Sequence, residues 1–128
     1  VHVQLAEYPQ ARQRYEAALP IYREIGDRLG EANTLTAFGD LDLAQKYHGT
    51  ARDRFEQAQE IYREIGARVG QTYVALRLAE ALLELQEIEK AMRILEEGAQ
   101  LAQTIEGQPN LGAIQQLLDQ IRPQPSAS

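Results

Sequence analysis

Apolar residues recur at steps of four and three along the early part of the chain, where Ala11, Tyr15, Ala18, Tyr22 and Ile25 share one helical face. Ala51, Phe55, Ala58, Tyr62 and Ile65 repeat that spacing. The intervening Arg12, Gln13, Glu16, Arg23 and Glu24 read as solvated surface. Glu24 with Arg28 and Glu64 with Arg68 stand four apart, and such pairs are worth about 0.2–0.5 kcal/mol each on a helix. A second kind of helix is expected from about Leu29 to Tyr47 and from about Val69 to Gln86, with Leu35, Phe38 and Leu41, then Val74, Leu78 and Leu82, as its apolar side.

The two patterns alternate because the chain repeats. Shifted by forty, "ARQRYEAALPIYREIGDRLG" falls on "ARDRFEQAQEIYREIGARVG" with thirteen of twenty positions identical, and a third, looser copy opens at Ala91 as "AMRILEEGAQLAQTIEG". A period of this length marks a solenoid, in which each helical hairpin buries its apolar face only against its neighbours. In the shared phrase Ile25 ends one helix, Gly26 takes the left-handed stop and Asp27 caps the next; Ala67 replaces that Asp in the second copy, a loss of about 1 kcal/mol. In "YHGT", Gly49 and then Thr50 are expected to start the following helix, with Asp53 closing a capping box. His48, in register with Tyr8 and Ile88, reads as a turn or core residue. Pro20 falls inside a helix at a cost of about 3 kcal/mol and is expected to kink it without breaking it.

The organisation expected is one repeat domain over residues 1–122. It consists of a partial repeat at 1–26, repeats at about 27–66 and 67–107, and a cap helix at about 110–122, followed by a disordered tail at 123–128. "NLGAIQQLLDQIR" suits the cap, with Leu111, Ile114, Leu117, Leu118 and Ile121 on one side and Gln115, Gln116, Asp119 and Gln120 on the other. "VHVQLAEYPQ" aligns with the second half of a first helix, "LDLAQKYHGT", which reads as a fragment that begins inside a repeat and comes from the carboxyl-terminal end of a larger regulatory or signalling protein.

The alternation of Ala, aromatic and Ala at steps of four and three, with Phe38-Gly39 upstream, resembles the tetratricopeptide repeat (TPR). The likeness is greatest to the 40-residue variant of kinesin light chain and of the sensor arrays of bacterial signalling ATPases. Ala11, Tyr15 and Ala18, then Ala51, Phe55 and Ala58, match the interlocking positions, and Ala91, Leu95 and Gly98 match more loosely. Asp42 stands where that motif carries an aromatic, and Ala79 replaces the packing Gly. The resemblance implies an all-α fold of tandem helix-turn-helix repeats forming a right-handed superhelix with a C-terminal cap helix. It also implies a protein-protein interaction scaffold with no catalytic residues. The groove positions it implies are Asn33, Thr36 and Asp40, then Tyr73, Arg77 and Glu80, with Tyr73 an aromatic anchor and Arg77 a fork for a carboxylate.

Composition narrows the function further. Thirteen Lys and Arg against nineteen Asp and Glu leave a net charge of −6, which repels nucleic acid and anionic membrane. With no Cys and only two His, neither a thiolate metal site nor a His-based catalytic constellation can be assembled, so no metal, no cofactor and no enzyme are expected. The absence of Cys and of any long apolar run suits a cytoplasmic chain. The expected function is therefore a scaffold binding a protein or peptide partner on its groove. The alternative is a spacer or self-association module, with a homodimer through an amino-terminal end where Tyr15 and Ile25 are partly uncovered.

Overall fold

The computed structural model describes residues 7–123. Six helices follow in order: α1 (Tyr8–Ile25), α2 (Arg28–Ala44), α3 (His48–Ile65), α4 (Arg68–Glu84), α5 (Ile88–Gln103) and α6 (Leu111–Ile121). No strand occurs among the described residues. Each helix packs on its neighbours in sequence, while α2 also touches α4 and α4 touches α6. The intervening helices α1, α3 and α5 make no such contact with one another. The row is therefore closed up on the α2–α4–α6 side and splayed on the other, which makes the former its inner face.

The short joints recur in the same form. Gly26 (φ 74°) and Gly66 (φ 71°) end α1 and α3 in the left-handed conformation, and Asp27 N–H and Ala67 N–H close on the Tyr22 and Tyr62 carbonyls at 3.0 and 2.9 Å. Asp27 caps α2 by accepting from the Gly30 N–H at 2.8 Å, whereas Ala67 gives α4 no side-chain cap. Tyr22 and Tyr62 lie flat against Gly30 and Gly70, where a Cβ would come within 2.5 and 2.8 Å of the rings.

The longer turns depart from expectation. α2 stops at Ala44, Lys46 (φ 66°) supplies the left-handed residue, and α3 begins at His48 with Tyr47 at its cap position and no capping side chain. Gly49 and Thr50 lie inside the first turn of α3, so the Thr50–Asp53 capping box does not form. Gln86 (φ 66°) repeats the device one period later. The strain of a non-glycine residue in this region is offset by paired backbone bonds, Tyr47 N–H to Asp42 C=O at 2.8 Å and Glu87 N–H to Leu82 C=O at 2.9 Å. The surface pairs differ as well. Glu24 and Arg28 sit on opposite sides of a joint and not on one helix, and Arg28 instead meets Glu31 at 2.9 Å and Glu64 on α3. Arg68, across the second joint, meets Thr104.

α1 runs unbroken through Pro20, which is solvent-exposed, so water can serve the Glu16 carbonyl that loses its helical donor. The core is one continuous strip of interlocked side chains, including Leu35, Phe38, Phe55, Val74, Leu82, Leu95 and Ile114. Phe55 rests on Gly39, where a Cβ would come within 2.5 Å of its ring. One charged cluster enters this strip. Asp42 is 0% exposed and receives Arg12 at 3.0 Å and Arg54, while both guanidinium groups lie over the Phe38 ring at 5.1 and 3.5 Å. Arg12 is thus turned inward and is no part of the solvated face. It also donates to Gln45 at 2.7 Å.

α6 closes the far end, burying Leu111, Ile114 and Leu118 while Gln115, Gln116, Asp119 and Gln120 face water. Asn110 ties its start to α4 by donating to Thr72 Oγ1 at 3.0 Å. The tail residues 124–128 and the first six residues lie outside the described region.

Candidate partner-binding groove

On the inner face, Tyr73 and Arg77 stand one turn apart on α4 and converge on a single carboxylate of α2. The Tyr73 hydroxyl donates to Asp40 Oδ2 at 2.7 Å and Arg77 Nε donates to Asp40 Oδ1 at 2.8 Å. A second guanidinium nitrogen of Arg77 donates to Glu80 Oε2 at 2.7 Å. Four of the six residues singled out from sequence therefore form one ordered network across two repeats. The other two meet a different residue: Tyr62 of α3 donates its hydroxyl to Asn33 Oδ1 at 2.6 Å and lies 3.2 Å from Thr36 Oγ1. Thr36 is only 8% exposed and gives its proton to the Ala32 carbonyl, so it sits beneath the surface, while Asn33 is exposed.

Arg77 consequently offers no vacant fork, because its Nε and one terminal nitrogen already serve Asp40 and Glu80. The role of Asp40 as hub was not apparent from sequence, although an acid 33 and 37 positions before a Tyr and an Arg spaced four apart is the signal that would have found it. Burial raises the Tyr73 phenol to about 12, with the Asp40 carboxylate adding to the effect. Burial also raises Glu80, against the opposing pull of Arg77, while for Arg77 the Asp40 and Glu80 carboxylates outweigh burial and hold the cation above its ordinary value.

Because the folded Tyr73 pKa lies above its unfolded value of about 10, its neutral form stabilises the fold fully below pH 10, and that contribution is lost as pH rises towards 12. Absorbance titration at the phenolate band should show a late tyrosine with its midpoint near 12. Tyr73→Phe should delete that step and flatten the fall in thermal stability between pH 10 and 12, and an unchanged titration curve would refute the assignment.

Beside this network, on the same side of the row, lies a hollow of 600 Å³ with Leu43, Leu83 and Leu117 as its apolar walls and Lys46, His48 and Glu84 at its edge. The Nδ1 of His48 is buried there without a hydrogen-bond partner. Among the described residues no group of three or more His, Asp or Glu side chains is placed to hold a metal ion, and no helix is long and apolar enough to cross a membrane.

No curated protein matches the chain. A family model described as tetratricopeptide repeat matches residues 1–64, half of the sequence, spanning α1, α2 and nearly all of α3. Those helices carry the Ala-aromatic-Ala interlock, the Gly39 seat for Phe55 and the left-handed Gly26 joint, and on that agreement of wording and geometry the chain belongs to the tetratricopeptide repeat family, whose members mediate protein-protein interaction.

Proposed function

We propose that this protein is a cytoplasmic protein-binding scaffold that receives a partner segment on the α2–α4–α6 face. The observation that carries this reading is the Asp40–Tyr73–Arg77–Glu80 network, which holds polar side chains of two repeats in fixed positions beside an apolar hollow. A fixed polar frame next to apolar walls is what peptide recognition requires, because the side chains are ordered before the partner arrives. Asp40, Glu80 and Glu84 outnumber Arg77 and Lys46 on this face, so a segment with a basic residue next to an apolar one fits it best. Asn33, Thr36, Asp40, Tyr73, Arg77 and Glu80 remain the groove residues of the proposal, with Thr36 supporting from below.

The test is a pull-down with the intact chain, with the triple variant Asn33→Ala, Tyr73→Ala, Arg77→Ala, and with a control altered at Gln10 and Gln13 on the exposed side of α1. The triple variant should lose partners that the control keeps, with both showing the helical circular dichroism of the parent. Equal recovery of every partner would reject the groove.

A second reading, self-association through α1, is favoured by one comparison within the chain. Ile61 of α3 is 5% exposed, whereas Ile21, its counterpart forty residues earlier, is 57% exposed. Ile25 does not add to this, because its counterpart Ile65 is also exposed. Light scattering across a hundredfold concentration range separates the readings, since a constant monomer mass removes the second.

A further inference from the structure

The gaps between successive outer helices differ. Between α3 and α5, over a floor supplied by α4, lies a cleft of 530 Å³ whose lining includes Gln59, Ala75, Leu78, Gly98 and Leu101. Forty residues earlier the corresponding positions hold Leu19, Leu35, Phe38 and Ala58 in place of Gln59, Ala75, Leu78 and Gly98. Three of these four changes remove side-chain volume, and the fourth puts a polar amide where a leucine lies buried. The earlier gap is also plugged from within, since Arg12 and Arg54 lie over Phe38 and meet at Asp42. The later gap has Ile94 and Leu82 at the positions of Arg54 and Asp42, so its own cation-carboxylate plug is absent.

Gln59 is 7% exposed, and its amide is half satisfied. Its Nε2 donates to the Gln71 carbonyl at 3.2 Å, and because that carbonyl can only accept, the orientation of the amide is set; Oε1 is buried and has no donor. A buried acceptor without a donor is unfavourable, and a leucine stands at this position in the other copy, so the amide has no packing reason to be there. The rim carries Glu56, Glu60 and Glu97 against Arg63 and Lys90, and Lys90 is already held by Glu56 at 3.1 Å.

We propose that this outer cleft is a second binding site, on the opposite face from the groove, and that it takes a basic side chain, arginine or lysine, presented by a partner protein. The aliphatic stem would lie along the cleft on Ala75, Leu78 and Leu101, as long cationic side chains do on apolar surface, and the head group would donate to Gln59 Oε1, which a rotation of the Gln59 side chain brings to the cleft surface, under the attraction of Glu60 and Glu97. The earlier gap is the internal precedent, because there the chain fills the equivalent space with arginines of its own.

The probe is Nα-acetyl-arginine amide, titrated into the full ¹⁵N-labelled chain, with Nα-acetyl-norleucine amide as the uncharged stem. The arginine probe should shift the Gln59 side-chain amide and the Gly98 backbone amide with a Kd of about 1 mM, and the norleucine probe should shift them far less. Gln59→Leu, which installs the residue of the other copy, should abolish the response while the protein stays folded. Glu97→Gln should weaken it roughly two- to fivefold, as for an exposed ion pair. No shift at Gln59 and Gly98, an equal response to norleucine, or full binding by a folded Gln59→Leu protein would each overturn the proposal. Should Gln59→Leu fail to fold, unchanged affinity in Glu97→Gln would overturn it equally.

Discussion

Gly39→Ala should destabilise the protein by about 1–3 kcal/mol, and Phe55→Leu should restore most of that loss when added to it. The methyl group would stand 2.5 Å from the Phe55 ring, and core overpacking of this kind forces side chains and backbone apart. The rescue follows from the next repeat, where Ala79 occupies the glycine position and Leu95 the aromatic one, both buried with 0% exposure. Seat and knob therefore change together: a larger seat accompanies a smaller knob. Phe55→Leu alone should cost about 1–1.5 kcal/mol, and Phe55→Ala about 3–5 kcal/mol, a large share of the 5–15 kcal/mol that holds a domain folded. Urea unfolding of the four proteins gives the coupling energy. Additive effects, with no recovery in the double variant, would show that the two positions do not share one contact.

Asp42→Ala should cost about 2–4 kcal/mol, with little sensitivity to salt. Breaking a buried ion pair by removing one partner ordinarily costs about 3–5 kcal/mol, because the charge left behind has lost its compensation. Here that figure is lowered because Arg12 and Arg54 are each about a quarter exposed and can regain some water. The second repeat again supplies a compensating pair. Asp42→Leu with Arg54→Ile copies Leu82 and Ile94, and should recover most of the stability that Asp42→Ala loses, since buried charge replaced by packed apolar side chains is often neutral. Melting temperatures at 0.05 and 1 M salt test both parts, and a strong salt dependence of the parent protein would show that the cluster is solvated after all.

The helices were legible because their apolar faces must close against neighbours, and the step of four and three around Phe55 or Val74 has no other use. The repeat made the joints legible too, since Gly26 and Gly66 stand where only a left-handed residue fits. The long turns were not legible in the same way. Lys46 and Gln86 adopt that conformation without the usual glycine, and the one glycine near by, Gly49, lies inside the first turn of α3. Asp42 departs from the family motif, and its burial depends on two arginines thirty positions before it and twelve after it. Such partners come together only when three helices are packed, and no local period carries them. Motif position alone marks the groove residues, whereas the engagement of Asp40 with Tyr73 and Arg77 belongs to the packing of α2 on α4.

The Arg12–Asp42–Arg54 cluster also distinguishes one interval of the row from the next. It joins three successive helices at one point beneath the surface. The next interval has only the shallow Arg52–Glu87 and Lys90–Glu56 contacts across its outer side. Polar contacts across the outer side therefore lie in water between α3 and α5, where salt should screen them, and beneath the surface between α1 and α3, where it should not.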